Sequence, residues 1–571
     1  MQCTFMSLSI LLTSFSLGSA AGDAPKIIAY YAQPNAYLTD HAREVAELYD
    51  GFFFTLGSWD EGVQNNLGFP PEVAPQGNWL EQAASNLKAL TGAGATESLL
   101  GIHFGDSAPW PSAETLLSAE YTAKLARHFG RAAAAARELG FRGLSIDVEY
   151  PYPRYEVDHE IYAYEDYTVD DLLSAGRAQG AAVMSAVLDA FPEAVIFVLP
   201  GVLWTRPIDR EFTLGMLQVM QERDAPGGLH LGAEVAYSLL DPVTQVAIPR
   251  VGDCSAEALL TGPMLEYWRR RCTVAPGVWP MHMVETGGKD YPKRPWVEEL
   301  TELREQMAIL RCTAKRYIWS FSGQPMWYMY TDALGQQYGL SKQTYEGAEE
   351  AIPGWQAILR EATPVSNTRL GPFLKAIKAY DRGRLSPLEL CRTFGSPGQW
   401  LVLGLLGNPF TTPQFFPGAP AQPPLSLDAL YHGRDGVVRW FSSPDYSLLG
   451  DVSLMKYFDW RATDNAAAIL ATQVVAKRDQ RDAHVWLGWD DGAVVRLDGR
   501  VVMDHAVYPE RGHGTFFRDR YNFEDHVAMP VTAGRHLLTI TSINSHGSWG
   551  VNLRIADADG YPLSGIRFET P

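Results

Sequence analysis

The sequence predicts an α/β fold in which a (β/α)8 barrel is followed by a β-sandwich. Two observations lead to this fold class. Over the first 360 or so residues, short apolar runs alternate with longer helical patterns, which is typical of parallel strands joined by crossover helices. Beyond residue 399, short strands follow one another with Asp-Gly and Gly-containing turns between them, which is typical of an antiparallel sandwich.

Eight apolar runs are expected to form the barrel strands, at residues 27–32, 51–56, 98–104, 143–149, 194–200, 229–236, 277–284 and 316–321. Helical patterns separate them, among them residues 118–139, 170–190, 256–271 and 296–310. Eight such units fit a barrel with long loops. A doubly wound open sheet is the alternative, but the segment after the first strand has no Gly-rich turn that could hold a pyrophosphate.

The chain is expected to divide into four parts. Residues 1–22 resemble a secretory signal, because an apolar run at 5–17 is followed by small residues and the run is too short to span a bilayer securely. Residues 23–362 would form the barrel, 363–398 a linker with a helical piece at 374–380, and 399–571 the sandwich. A secreted or periplasmic protein is therefore expected.

Cysteine usage is compatible with that compartment. Removal of the signal would take away Cys3 and leave an even number of cysteines, namely Cys254, Cys272, Cys312 and Cys391. A disulfide between Cys254 and Cys272 is the first pairing to test, and buried free thiols are an equal alternative.

Composition narrows the classes of ligand. The formal net charge of −19 disfavours a nucleic acid or an anionic membrane surface as partner, and no later segment predicts membrane insertion. Aromatic residues make up 12% of the chain and offer flat apolar faces on which sugar rings can stack, although core packing accounts for many such rings. An uncharged or cationic ligand, such as a carbohydrate, is therefore easier to accommodate than a polyanion, and no cofactor is expected.

The fourth barrel run carries two carboxylates in alternation. Side chains on a strand alternate sides, so Asp147 and Glu149 share one face with Ser145, opposite the aliphatic residues. If the aliphatic face packs under helices, both carboxylates point into the barrel near its carboxyl end, where barrels of this class keep their chemistry. Because like charges raise one of two neighbouring pKa values, such a pair suits a general acid.

Other polar and aromatic side chains are expected at the same rim of the barrel, because they follow the ends of other strands. They are Trp59, His103, Trp204, Glu234, Tyr237, His282, Glu285, Trp319 and Trp327. The histidines at 103, 159, 230 and 282 show no metal-binding spacing, so no metal site is expected.

The fourth run resembles the signature D-G-x-D-x-D-x-E of the family 18 glycoside hydrolases, the chitinase-like group. Gly143, Asp147 and Glu149 match it, whereas Arg142 and Ser145 replace its first two acids. The resemblance implies a glycosidase in which Glu149 is the general acid/base and Asp147 orients the sugar's 2-acetamido group. It also implies that Tyr237 donates to that group and that Trp319 lies under the sugar, and the remaining rim aromatics and His103 would bind substrate.

Two alternatives remain. The acid missing at Ser145 would have shared a hydrogen bond with Asp147, so a retaining mechanism with Glu285 or Glu234 as enzyme nucleophile stays open. Glu149 with Glu285 also resembles the large clan of retaining barrel glycosidases. A non-catalytic carbohydrate-binding barrel is the second alternative.

The C-terminal region resembles the jelly-roll modules, of the protective-antigen-like and carbohydrate-binding types, that accompany secreted bacterial enzymes. The matching residues lie at 488–492 (Gly-Trp-Asp-Asp-Gly), 497–499 and 547–550. The resemblance implies an ancillary module next to the catalytic barrel.

Overall fold

Eight parallel strands close into a barrel in the computed structural model of the chain, and each strand pairs with the next in sequence order. The structure describes residues 24–54, 79–103, 116–147, 167–199, 201, 207–234, 241–279, 296–321, 337, 354–361, 363–407, 427–443, 446–458, 463–506, 523, 525–545 and 549–570. The strands are β1 (Lys26–Ala32), β2 (Gly51–Phe54), β3 (Leu99–His103), β4 (Gly143–Asp147), β5 (Val195–Leu199), β6 (Leu229–Ala233), β7 (Thr273–Val278) and β8 (Tyr317–Ser320). The predicted fold class is confirmed.

Helices connect the strands and continue after the barrel. Those described up to β8 are α1 (Ala36–Asp40), α2 (Ala42–Ala46), α3 (Trp79–Ala93), α4 (Ala119–Leu139), α5 (Val169–Ala190), α6 (Pro207–Glu222), α7 (Pro242–Leu259), α8 (Gly262–Arg271) and α9 (Trp296–Thr313). Then come α10 (Trp355–Arg360), α11 (Gly371–Asp381) and α12 (Pro387–Thr393). None of the described helices is long and apolar enough to cross a membrane.

Local sequence signals explain how the chain enters β4. The Ser118 side chain accepts a hydrogen bond from the Tyr121 amide at 3.2 Å and so caps the first turn of α4. Gly140 ends the helix in the left-handed conformation, with φ of 92°. Gly143 then opens β4, and a Cβ there would lie 1.9 Å from the Val195 carbonyl oxygen, so β4 and β5 pair closely only with glycine at this position.

The barrel has two apolar layers. One cluster fills its interior and comprises Ile28, Phe53, Leu99, Val195, Phe197, Leu199, Ala275, Tyr317 and Trp319. The alternate strand residues, such as Leu144 and Ile146 of β4, pack outward with helix residues in a second cluster. This alternation fixes which strand side chains can reach the barrel mouth.

Two predicted elements were wrong. The seventh strand was expected at residues 277–284, but β7 spans Thr273–Val278, so His282 and Glu285 do not directly follow its end. A single helix was expected at 256–271, whereas the chain forms α7 and α8 with extended backbone at Leu260 between them. Pro263 in the first turn of α8 suits a new helix start and disfavours a continuous one.

Helix α7 is buried on every side. Residues 243–256 are all buried, and α7 contacts β7, α9 and α11. A helix without a solvent face has no polar side, so an amphipathic period cannot identify it in the sequence.

The predicted disulfide is absent. Cys254, Cys272 and Cys391 are buried free thiols, and Cys312 is an exposed free thiol. Cys272 directly precedes β7 and packs in the large cluster around the barrel, whereas Cys254 and Cys391 belong to the cluster between α7, α11 and α12. The pairing of Cys254 with Cys272 was therefore wrong, and the alternative of buried free thiols agrees with the structure for three of the four.

The segment at 363–398 is itself folded. It contains α11, which covers the predicted helical piece at 374–380, and α12, whose Ser386 and Glu389 form a capping box. Phe373, Leu390 and Phe394 are buried against α7 residues in one cluster.

The C-terminal region consists of antiparallel sheets. The strands are β9 (Leu401–Gly407), β10 (Tyr431–His432), β11 (Val437–Val438), β12 (Phe441–Ser442), β13 (Val452–Ser453), β14 (Ala466–Ala476), β15 (His484–Trp489), β16 (Gly492–Leu497), β17 (Arg500–His505), β18 (Asp525–Ala528), β19 (Gly534–Asn544), β20 (Gly550–Ala556) and β21 (Ile566–Glu569). The largest sheet has the order β12-β9-β14-β19-β16-β17 with β21 on β14, a second has the order β13-β20-β15-β18, and β10 and β11 form a two-stranded sheet. Buried side chains of the two larger sheets, such as Leu470 and Leu553, belong to one cluster.

Candidate active site at the carboxyl end of the barrel

Asp147 is the last residue of β4 and faces the barrel interior. Its neighbours Leu144 and Ile146 pack outward, so the two strand faces are divided as the alternation predicts. Asp147 is 5% exposed and lies in register between His103 of β3 and Leu199 of β5. The strand therefore delivers one carboxylate to the carboxyl end of the barrel.

Tyr30 of β1 holds this carboxylate from across the barrel. Its hydroxyl donates a hydrogen bond to Asp147 Oδ2 at 2.9 Å. The Tyr30 ring contacts Phe53, Trp319 and Phe321 with centroid separations of 5.5, 5.6 and 5.6 Å. Because the ring is packed among three others, the hydroxyl is held in place before any ligand arrives.

Four aromatic residues, Tyr30, Trp279, Trp319 and Phe321, are linked by ring contacts at this end of the barrel, and we call them the aromatic mouth. Trp279 directly follows β7 and meets Phe321 edge-on at 4.9 Å. Trp319 is 1% exposed, and its indole N–H donates to the Ala275 carbonyl at 3.1 Å. The predicted role of Trp319 as a sugar platform stays a prediction, and its burial counts against it.

Glu234 is the second carboxylate of the predicted site that the structure describes. It directly follows β6, two residues beyond Gly232, and it is partly buried. Gly232 faces the interior, since a Cβ there would lie 2.2 Å from Leu199 Cδ2 and 2.9 Å from the Phe197 ring. Glu234 follows the strand at the same, carboxyl end of the barrel at which Asp147 ends β4.

A separate polar network closes the opposite, amino end of the barrel. His230 Nδ1 lies 2.8 Å from Thr273 Oγ1, and the Tyr317 hydroxyl donates to Glu97 at 2.7 Å. Burial, with the Arg316 guanidinium nearby, lowers the pKa of His230 to about 3, so the imidazole is neutral. This histidine is a fully buried core residue near the amino end of the barrel.

Most of the other predicted site residues lie outside the described part of the chain. They are Trp59, Glu149, Trp204, Tyr237, His282, Glu285 and Trp327, together with the side chain of His103, whose backbone ends β3. Their assignment stays a prediction. Among the described residues, the structure brings no three His, Cys, Asp or Glu side chains together in a way that could hold a metal ion.

Sequence reasoning missed Tyr30, Trp279 and Phe321. Tyr30 alternates with inward-facing Ile28 on β1, so its direction was accessible from the strand pattern. Trp279 was missed because it fell inside the seventh strand as predicted at residues 277–284, whereas it directly follows β7 in the structure. The partner of Tyr30 lies 117 residues away, and no local pattern links the two.

Comparisons with known proteins give no family for this chain. No family model matches it, and no curated protein matches it.

Among solved structures, a GH30 endoxylanase from Clostridium papyrosolvens C71 is similar, with 8% identity and a TM-score of 0.31. The match covers 91% of this chain and 97% of the endoxylanase. GH5_18 from Streptomyces cattleya has 12% identity and a TM-score of 0.32, covering 63% and 92%. Old Yellow Enzyme from Pichia sp. AKU4542 has 11% identity and a TM-score of 0.32, covering 58% and 89%. Likenesses at this level carry no inference about activity.

Proposed function

We propose that the protein is a secreted glycoside hydrolase that cleaves O-glycosidic bonds in a poly- or oligosaccharide. Glu149 would be the general acid/base, and Asp147 would assist it from the same strand. The strongest support is the hydrogen bond from Tyr30 to Asp147, because it orients an almost buried carboxylate at the carboxyl end of a barrel. The run Asp147-Val148-Glu149 then supplies the proton donor that glycosidic cleavage requires.

Two routes are compatible with this assignment. In the substrate-assisted route, the sugar's 2-acetamido oxygen attacks the anomeric carbon, and Asp147 orients and stabilises that group. Tyr30 would then supply the hydrogen bond to Asp147 that the acid missing at Ser145 would have provided. In the two-carboxylate route, Glu234 or Glu285 attacks instead and forms a glycosyl-enzyme intermediate.

Charge and aromatic content support a neutral or cationic sugar chain as substrate. The net charge of −19 would repel a polyanion such as a uronic-acid polymer. The C-terminal sheets would act as an ancillary module of the exported enzyme.

The test is hydrolysis of a panel of nitrophenyl glycosides and soluble polysaccharides, with and without 2-acetamido groups. We expect turnover of at least one class and a loss of about two to four orders of magnitude in Glu149→Gln, because the amide cannot deliver a proton. Glu193→Gln is the matched control, since Glu193 is a surface residue paired only loosely with Arg137 at 3.7 Å. A wild-type protein that cleaves none of these compounds, or a fully active Glu149→Gln variant, would overturn the proposal.

A further inference from the structure

The C-terminal sheets contact the barrel at the helix that follows β6. Arg554 of β20 points away from the sheet core, because its strand neighbours Leu553 and Ile555 are the ones that join the buried cluster. Its side chain is fully buried, at 0% exposure, and reaches Asp241 and Thr244 at the start of α7. The contact therefore joins two parts of the chain more than 300 residues apart.

The guanidinium is bound in a fork. Nη1 donates to Asp241 Oδ1 at 2.8 Å and to the Gly560 carbonyl at 3.2 Å, and Nη2 donates to Thr244 Oγ1 at 2.7 Å. The Phe523 ring lies beside the guanidinium, 4.5 Å from its centroid. Only the planar arginine head can make this set of contacts, because a lysine ammonium cannot bridge the two α7 residues in the same way.

Asp241 is also the N-cap of α7. Its Oδ1 accepts from the amides of Val243 and Thr244, each at 3.1 Å. The Asp241 carboxylate thus both caps α7 and accepts a hydrogen bond from Arg554. In a barrel, a helix that follows a strand begins at the carboxyl end of the barrel, the same end at which Asp147 meets Tyr30.

We propose that Arg554 is a positioning residue for the active site, through which the C-terminal sheets fix the carboxyl-end rim of the barrel at α7. This inference rests on the proposed function. Glu234 at the end of β6 and Asp241 at the start of α7 lie at the same end of the barrel, with six residues between them in the sequence, so Arg554 holds the rim at a point close in sequence to that carboxylate. A buried ion pair is costly to desolvate and adds little stability over an apolar contact, so fixed geometry is what this pair contributes.

A shift of the rim by about 1 Å would be enough to lower the rate by about a hundredfold. We therefore expect Arg554→Met to lower kcat by at least about tenfold at a temperature well below unfolding, with a smaller change in KM. Arg554→Lys should recover part of the loss. Asp241→Asn keeps the cap acceptor but removes the charge, so it should lower kcat in the same direction, and the double variant should be less impaired than the product of the two single losses.

The control is Arg369→Met. Arg369 also joins the connecting segment to the C-terminal region, through Asp557, Asp559 and the Tyr561 ring at 3.5 Å, but its side chain contacts the turn after β20 and not the Asp241 cap. It should leave kcat within about twofold of wild type. Hydrogen exchange supplies a readout independent of activity: Arg554→Met should speed exchange of the Val243 and Thr244 amides, and Arg369→Met should not.

The outcomes separate the two proposals. An active wild-type enzyme whose Arg554→Met variant keeps its kcat, or shows unchanged exchange at the start of α7, overturns the positioning role and leaves the glycosidase intact. Faster exchange together with a lower kcat supports it. A wild-type protein that cleaves no glycoside removes the proposed function, and the positioning role falls with it, whatever the exchange shows.

Discussion

Arg250 and Asp381 form a two-pronged ion pair that fastens α11 to α7. Arg250 Nε and Nη2 donate to the two carboxylate oxygens of Asp381, each at 2.7 Å. The Arg250 side chain is 2% exposed, and Asp253 stands 3.7 Å away as a second, weaker partner. The segment between the barrel and the C-terminal sheets is thus attached to the same buried helix that Arg554 reaches.

Removing one member of this pair should destabilise the protein. We expect Asp381→Ala to lower the free energy of unfolding by about 2–4 kcal/mol, because it leaves the buried guanidinium with Asp253 as its nearest carboxylate and the Pro249 carbonyl as its hydrogen-bond acceptor. Asp189→Ala is the control: Asp189 pairs with Arg223 at an exposed site, and about 0–1 kcal/mol is expected. Denaturant unfolding measures both, and equal effects would show that the Arg250 pair is no more than a surface contact.

The hydroxyl of Tyr30 should matter for activity more than for stability. Tyr30→Phe removes the donor to Asp147 and should lower kcat/KM about ten- to a hundredfold, since hydrogen bonds to charged groups contribute about 1.5–3 kcal/mol. Tyr317→Phe is the matched control, because its hydroxyl donates to Glu97 at the amino end of the same barrel. Steady-state kinetics on the glycoside that the enzyme cleaves fastest measures kcat/KM for both variants. Equal losses of kcat/KM in the two would argue against a role of Tyr30 in the site.

Buried His230 should make the barrel sensitive to acid. Its pKa in the folded state is about 3, below the usual 6.5. Below about pH 6.5 the unfolded chain therefore binds a proton at this histidine that the folded chain does not bind. The free energy of unfolding should therefore have its full value above pH 6.5. It should fall as the pH drops towards 3, by up to about 5 kcal/mol at roughly 1.4 kcal/mol per pKa unit. His128, whose pKa burial lowers to about 4, adds a smaller loss of the same sign.

Unfolding measured from pH 7 to pH 4 checks this expectation. His230→Gln should flatten the dependence, because it removes the titrating group. His536→Gln should not, because desolvation of His536 is outweighed by its hydrogen bond with Asp498, which raises the pKa of His536 and gives the opposite pH dependence. A His230→Gln variant with the wild-type slope would show that another group controls the acid limit.

Thiol reactivity should distinguish Cys312 from the other described cysteines. Burial raises the pKa of Cys272 to about 12, and the contact with Cys391 together with burial raises that of Cys254, so their reactive thiolate forms are suppressed. In native protein lacking residues 1–22, a thiol reagent such as Ellman's should react quickly with Cys312 alone, and unfolding should release the rest. Cys312→Ser should abolish the fast phase, and fewer than four thiols after unfolding without reductant would indicate a disulfide.

The sequence predicted what depends on local pattern. Alternation on β4 placed Leu144 and Ile146 outside and Asp147 inside, because a strand buried on one face by helices leaves no other arrangement. It could not predict β7, because Pro276 within Thr273–Val278 weakened the strand pattern. Contacts such as Tyr30 with Asp147 or Arg554 with Asp241 arise only when distant segments meet, so the restraints on the site were not accessible from spacing. The four-part division of the chain stays a prediction.

The last prediction separates the two catalytic routes. If the 2-acetamido group is the nucleophile, Asp147→Asn should be the more damaging change, because the amide cannot stabilise the positive charge that develops as the acetamido oxygen attacks. If the enzyme supplies the nucleophile, Glu285→Gln or Glu234→Gln should instead abolish turnover. Added azide should then restore activity by attacking the anomeric carbon directly and give a glycosyl azide, which mass spectrometry detects.

The Glu193→Gln variant again controls for the loss of an ordinary surface carboxylate. Activity confined to sugars with a 2-acetamido group, a severe Asp147→Asn defect and harmless Glu285→Gln and Glu234→Gln changes would establish the substrate-assisted route, and turnover of sugars lacking that group would exclude it as the sole mechanism.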